Sequence, residues 1–135
     1  MPLPQLIRIA YEPDYRTKYI GRYADGQFYA DEHGTPLDET GITVMLHVFD
    51  HAGRHVRSEI RPDVPLAESD GVLAAMLDQL PDRAYGDIAI RLFEVDFRGV
   101  QFGLVDMSGP ERGDSAELYP QGLGFFAPFD GLYDT

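Results

Sequence analysis

The sequence contains no cysteine and no tryptophan. Without thiols there are no disulfides, no thiolate metal sites and no cysteine nucleophile, which suits a reducing compartment. Positive charge is scarce as well: 11 Lys and Arg stand against 23 Asp and Glu, a formal net charge of −12. An approach to nucleic-acid phosphates or an anionic membrane surface therefore begins with repulsion, and no basic recognition helix offsets it. A basic protein partner is favoured instead. No run reaches the roughly 18 apolar residues a membrane-crossing helix needs. The opening MPLPQLIRIAYEPDY also lacks the basic, apolar and small-residue regions of a secretory leader. A cytoplasmic protein is expected. The GxxxxGK[ST], GxGxxG, GxSxG and HExxH patterns are all missing, so no cofactor is implied.

What is present is enough for one domain spanning residues 1–135 with a real core: 44% of the residues are hydrophobic and 12% aromatic. The stretch Asp87–Met107 is the firmest local signal, two β-rich runs around Arg98-Gly99. A two-residue loop there sets Phe97 against Val100, Val95 against Phe102, Phe93 against Leu104 and Arg91 against Asp106. Lys18–Asp31 reads as a hairpin around Ala24-Asp25-Gly26, preceded by a short strand at Leu6–Ala10. Gly41–Phe49 and Arg54–Ile60 form a further hairpin. Its register pairs Phe49 with His55, Val48 with Val56 and Val44 with Ile60, sending Val44, Leu46, Val48, Val56 and Ile60 to the core.

The helical spacing of Val72, Leu73, Met76, Leu77 and Leu80 predicts one principal helix over Leu66–Leu80. Ser69 or Asp70 would cap it, Val72–Leu80 would be its rigid part, and Pro81 would end it. Ala116–Tyr119 reads as a short edge strand. The fold class is α+β: a mainly antiparallel sheet of three hairpins, about five to seven strands, with the helix packed on one face. The tail from Gly124 to Thr135 is too apolar to dangle in water, and docks on its own chain or, in a homodimer, on a second copy.

Two constellations have chemical potential. His47, His51 and His55 are spaced by four, as for metal ligands on a helix, but they fall on a hairpin, where only His47 and His55 share a face. With Arg57 and Glu59 beside them they read as a solvent-facing surface pair, and no metal is expected. Glu94 and Asp96 point the same way roughly 7 Å apart, a carboxylate spacing used in glycoside hydrolysis. They read as a solvated sheet end, with no neighbouring pattern for a sugar cleft.

Three segments, YIGRYADGQFY, VDFRGVQFGLV and FFAPFDGLYDT, resemble a family of small bacterial proteins of uncharacterised activity, some of which bear a formate hydrogenlyase regulatory label. The similarity covers most of the chain. Phe129 stands where that family's pattern leads one to expect tryptophan, a departure compatible with the same aromatic packing. The resemblance brings a label, and neither a mechanism nor a catalytic residue comes with it.

Two functional classes follow. The first is a non-catalytic binding or regulatory module. Asp31, Glu32, Asp38 and Glu39, in an exposed acidic link, would steer a basic partner, and Tyr23 and Tyr29 would supply contact area. The alternative is a small enzyme or metal-binding protein using His47, His55 and Glu59, or the Glu94/Asp96 pair. A pocket containing those groups would favour the alternative.

Overall fold

The computed structural model describes residues 3–135 and builds them from eleven strands and one helix. The fold is α+β as expected, with more strands than the sequence pattern suggests. At its centre lie β3 (Gly26–His33) and β4 (Ile42–Asp50), antiparallel neighbours in a five-stranded sheet. The sheet continues through β5 (His55–Val64) on one side and through β2 (Ile20–Tyr23) and β6 (Ala84–Tyr85) on the other. Nearly every residue of β3 and β4 is buried, so both sheet faces must be covered.

Alternation along the two strands divides their side chains between two cores. Phe28, Ala30, Val44, Leu46 and Val48 face the helix α1 (Leu66–Leu77) and meet Leu73, Met76 and Leu77. Tyr29, His47 and Phe49 face the other way. They pack against the pair β1 (Ile7–Ile9) with β7 (Ile88–Ile90), and against a second sheet. This second sheet runs β11-β10-β9-β8, with β8 at Phe93–Phe97, β9 at Val100–Asp106, β10 at Ser115–Tyr119 and β11 at Leu123–Phe126. Gln27 links the layers: its Nε2 donates to the carbonyls of Asp50 (3.2 Å) and Ala89 (3.0 Å), and its Oε1 accepts the Ala89 N–H (2.8 Å).

The central hairpin holds the expected pairs Phe93/Leu104, Val95/Phe102 and Phe97/Val100. Arg98 and Gly99 both have positive φ, 52° and 84°, as a type I′ turn requires. The expected pairing of Arg91 with Asp106 does not form, because the chain leaves the sheet at Arg91-Leu92 and Ile88–Ile90 pairs with β1 instead. The helix begins at Leu66 behind Pro65, with no side-chain cap; the Ser69 hydroxyl donates to the Leu66 carbonyl, so neither Ser69 nor Asp70 is the N-cap. It ends at Leu77, and turn hydrogen bonds carry the chain on to Leu80.

The β4–β5 hairpin departs from its expected register. Phe49 pairs with His55, but an irregularity follows and Val48 pairs with Arg57, His47 with Ser58 and Leu46 with Glu59. One extra residue on β5 inverts the faces beyond it. Val56 is consequently 59% exposed, and Ile60, paired with Met45, lies on the side away from the helix. Ser115–Tyr119 is an inner strand, because the tail supplies β11 outside it.

The tail docks on its own chain. Phe125 is 1% exposed, Phe129 and Tyr133 pack partly buried on the same core, and Ala10 N–H donates to the Gly131 carbonyl (2.9 Å). Gly124 and Asp134 exchange backbone hydrogen bonds of 2.8 and 2.9 Å that tie the end of the chain to β11. Phe125→Ala is expected to lower unfolding free energy by about 3 to 5 kcal/mol. Leu132→Ala, at 67% exposure, should change it by less than about 0.5 kcal/mol. Urea titration of both variants checks the pair, and equal effects would contradict this docking.

Candidate functional site: an aromatic groove beside the helix

The residues proposed to form an acidic steering surface do not form one. Asp31 and Glu32 belong to β3 and not to an open link, and Tyr29 and Asp31 are buried between the layers. Asp38 is engaged in the fold, with its carboxylate accepting from the Thr43 hydroxyl (2.9 Å) and the Asp63 N–H (2.6 Å). Asp63 in turn accepts the backbone N–H groups of Glu39, Thr40 and Gly41, and the Thr40 and Gly41 donors hold its carboxyl below the usual range. These acids fasten a loop to the end of β5. Of the six, Glu39 is exposed, while Tyr23 and Glu32 are half-buried on the helix side of the sheet.

The histidine constellation is also rearranged. His47 is 1% exposed, not on the surface. Its Nδ1 lies 2.6 Å from Ser58 Oγ, which His55 Nε2 also reaches at 2.8 Å. Phe93 stacks on the His55 ring (4.9 Å, 21°) and meets His47 edge-on (5.1 Å). The β5 irregularity puts Arg57 and Glu59 on the opposite face, so His47, His55 and Glu59 are not brought together. Among the described residues no group of three or more His, Asp or Glu side chains is placed to hold a metal. Glu94 and Asp96 are exposed, and Asp96 Oδ1 accepts the Gly99 N–H (3.0 Å), a turn contact.

Burial pushes the Asp31 carboxyl up to about 6, while it pulls the His47 imidazole down to about 3 with His55 adding to the effect. A histidine depressed in the fold gains its proton on unfolding, so its contribution is complete above pH 6.5 and is lost as pH falls towards 3. A raised carboxyl has the opposite sign: its cost is complete above pH 6 and disappears as pH falls through 3.8. The two slopes oppose each other in the parent chain. Asp31→Asn is expected to stabilise the protein at pH 7 by up to about 3 kcal/mol, since each tenfold change in proton affinity is worth about 1.4 kcal/mol. That gain should fade by pH 4, and the variant should lose stability with acid below pH 6.5. Urea unfolding across pH 4 to 7 checks this, and parallel curves for parent and variant would contradict it.

The concave feature with recognisable chemistry lies on the helix side, in a stretch that sequence reasoning passed over. Asp70, Leu73, Ala74, Leu77 and Asp78 recur at three- and four-residue intervals and so share one face of α1. Opposite them, Tyr19 precedes β2 and Tyr85 ends β6. Together with Arg83 they enclose a groove of about 320 Å³. Leu73 and Leu77 are buried and make its floor. The Tyr19 and Tyr85 rings meet at 61° with centroids 6.4 Å apart, making a corner, and Tyr11 stacks on the outer side of Tyr85 (5.9 Å).

The two-residue strand that carries Tyr85 is held by β2 at Gly21, where a Cβ would lie 2.0 Å from the Ala84 carbonyl oxygen. Only glycine permits that approach. At one end of the groove Arg83 pairs with Asp78 (3.8 Å) and donates to the Leu77 carbonyl. At the other stands Asp70. Burial, the Asp70 carboxyl adding to it, raises the Glu32 pKa, against the Ser69 hydroxyl and the Lys18 ammonium. Glu32 Oε1 is buried with no hydrogen-bond partner. The Lys18 ammonium stands 5.5 Å from the Tyr19 ring centroid. The arrangement offers apolar contact, ring faces and unbalanced negative charge, and no nucleophile beside a base.

Compared with protein-family models, curated proteins and solved structures, the chain finds no match. Among the described residues no helix is long and apolar enough to cross a membrane.

Proposed function

We propose that the protein is a non-catalytic binding module of the cytoplasm that engages a basic protein partner through the groove between α1 and the β2–β6 edge. The observation that carries this reading is the groove's composition: an aliphatic floor, a corner of two tyrosines, one of them 47% exposed, and carboxylates at both ends. Exposed aromatic side chains on rigid elements provide contact area at little entropic cost, and tyrosine is enriched among the residues that dominate interfaces. The net charge of −12 steers a basic partner towards any face of the molecule, and the groove supplies the short-range contacts.

The test is capture from cells of the source organism with parent, Tyr85→Ala, Asp70→Lys and Glu39→Lys chains, read by quantitative mass spectrometry. A basic protein retained by the parent and by Glu39→Lys, and lost by both groove variants, is expected. Its association with the purified chain should slow as salt rises, since surface fields decay over about 8 Å at physiological ionic strength. Loss in Glu39→Lys with retention in both groove variants would move the contact surface to the loop and overturn the reading.

A further inference from the structure

Independently of the groove, we propose that Ser58 is a covalent modification site whose hydroxyl, aimed at the His55 imidazole, accepts an acyl group from an activated ester. The β5 irregularity builds the site. In a regular strand residues three apart point to opposite faces. Val56, the extra residue on β5, turns Ser58 back to the side of His55 and of its own cross-strand partner His47. Ser58 Oγ thereby lies 2.6 Å from His47 Nδ1 and 2.8 Å from His55 Nε2. The His55 ring is held by Phe93, stacked at 4.9 Å, and by Phe49, edge-on at 5.9 Å. β5 is an outer strand of its sheet, and Ser58 and His55 are both partly exposed, which leaves the pair open to a donor from solvent.

Hydrogen-bond partners set the direction of the proton. His47 Nε2 is buried without a partner, and a buried N–H left unpaired is rarer than an unpaired acceptor. The His47 proton therefore sits on Nδ1 and is donated to Ser58 Oγ. The hydroxyl proton is then left to His55 Nε2 as its acceptor, which puts a nucleophile beside its base. Burial lowers the His55 imidazole below its ordinary value, so at pH 7 Nε2 is free to take that proton. In the step, the bond from Oγ to the acyl carbon forms, the bond to the leaving group breaks, and the Ser58 proton passes through His55 Nε2 to the leaving group. The His47 N–H serves the serine oxygen and not the carbonyl oxygen, where charge develops. A donor with a good leaving group is therefore required, and the ester persists once it is formed.

The experiment treats the full chain with 4-nitrophenyl acetate and follows nitrophenolate release together with peptide mass spectrometry. One acetyl group on Ser58, formed in a single burst without further turnover, is expected. The labelling rate should rise with pH through an inflection below 6.5, as His55 loses its proton. Ser58→Ala should abolish the label. Because that change removes the partner of buried His47, His55→Gln is the second variant. It keeps the hydroxyl, an amide spectrum verifies that it folds, and labelling should slow at least about a hundredfold, the loss typical of a missing general base. Acetyl groups on lysines with Ser58 unmodified, a rate without the inflection, or labelling at the parent rate in a folded His55→Gln chain would overturn the proposal. So would steady ester hydrolysis that depends on Ser58, which makes the pair a hydrolytic centre in place of an acceptor.

Discussion

Burial of β3 and β4 on both faces is the constraint from which the rest of this architecture follows. Two adjacent strands with side chains inside on either face need two covers, and the described residues have one helix to offer. The helix takes the face of Phe28, Leu46 and Val48. The other face, with Tyr29, His47 and Phe49, is closed by β1, β7 and a second sheet, and that closure draws the apolar tail into the core as β11. Fully burying each large side chain contributes roughly 1.5 to 3 kcal/mol, so both covers are needed to offset the entropy of ordering a chain this short.

That same two-sided burial explains which parts of the fold could be read from the sequence. The Arg98-Gly99 hairpin was legible because its turn residues and β-rich flanks agree on one register. The helix and its start at Leu66 were legible from the spacing of Leu73, Met76 and Leu77, although its cap was not, since Pro65 stands where Ser69 or Asp70 was expected to cap it, and its regular part stops at Leu77. The β4–β5 register differs from the expected one by a single residue beyond His55. A β-irregularity leaves no composition signal in a run such as HVRSEI, and a one-residue slip exchanges the faces of everything after it. The break at Arg91-Leu92 was hidden for a related reason: IAIRLFEV alternates smoothly, and only the pairing of Ile7–Ile9 with Ile88–Ile90 separates it into two strands.

The candidate site was less legible than the fold, because its parts come from three distant places. Tyr19, Asp70 and Tyr85 carry no local pattern that joins them. The acidic face of α1 was readable in principle, since Asp70, Ala74 and Asp78 are spaced by four beside the apolar stripe. β6 was not readable, as two residues show no periodicity and its place depends on the missing side chain at Gly21. By contrast, the acidic segment that stood out in the sequence is largely consumed by the fold. Asp38 and Asp63 receive hydroxyl and backbone N–H donors that fix a loop. A count of carboxylates therefore overstates the charge available to a partner, and the positions that matter are those whose oxygens still lack donors.

Glu32 holds such an oxygen, and its neighbour in the strand shows how it comes to face the helix. Asp31 and Glu32 are consecutive residues of β3, so alternation sends one carboxyl between the sheets and the other towards the helix. The Glu32 N–H donates to Asp31 Oδ1 (2.9 Å), which settles part of the inward charge within the strand itself. The outward carboxyl meets Ser69 and Asp70 at the helix, with Lys18 acting on it from outside and Oε1 left without a hydrogen-bond partner. A strand that places two acids in succession at the centre of a doubly covered sheet must leave one of them facing each cover.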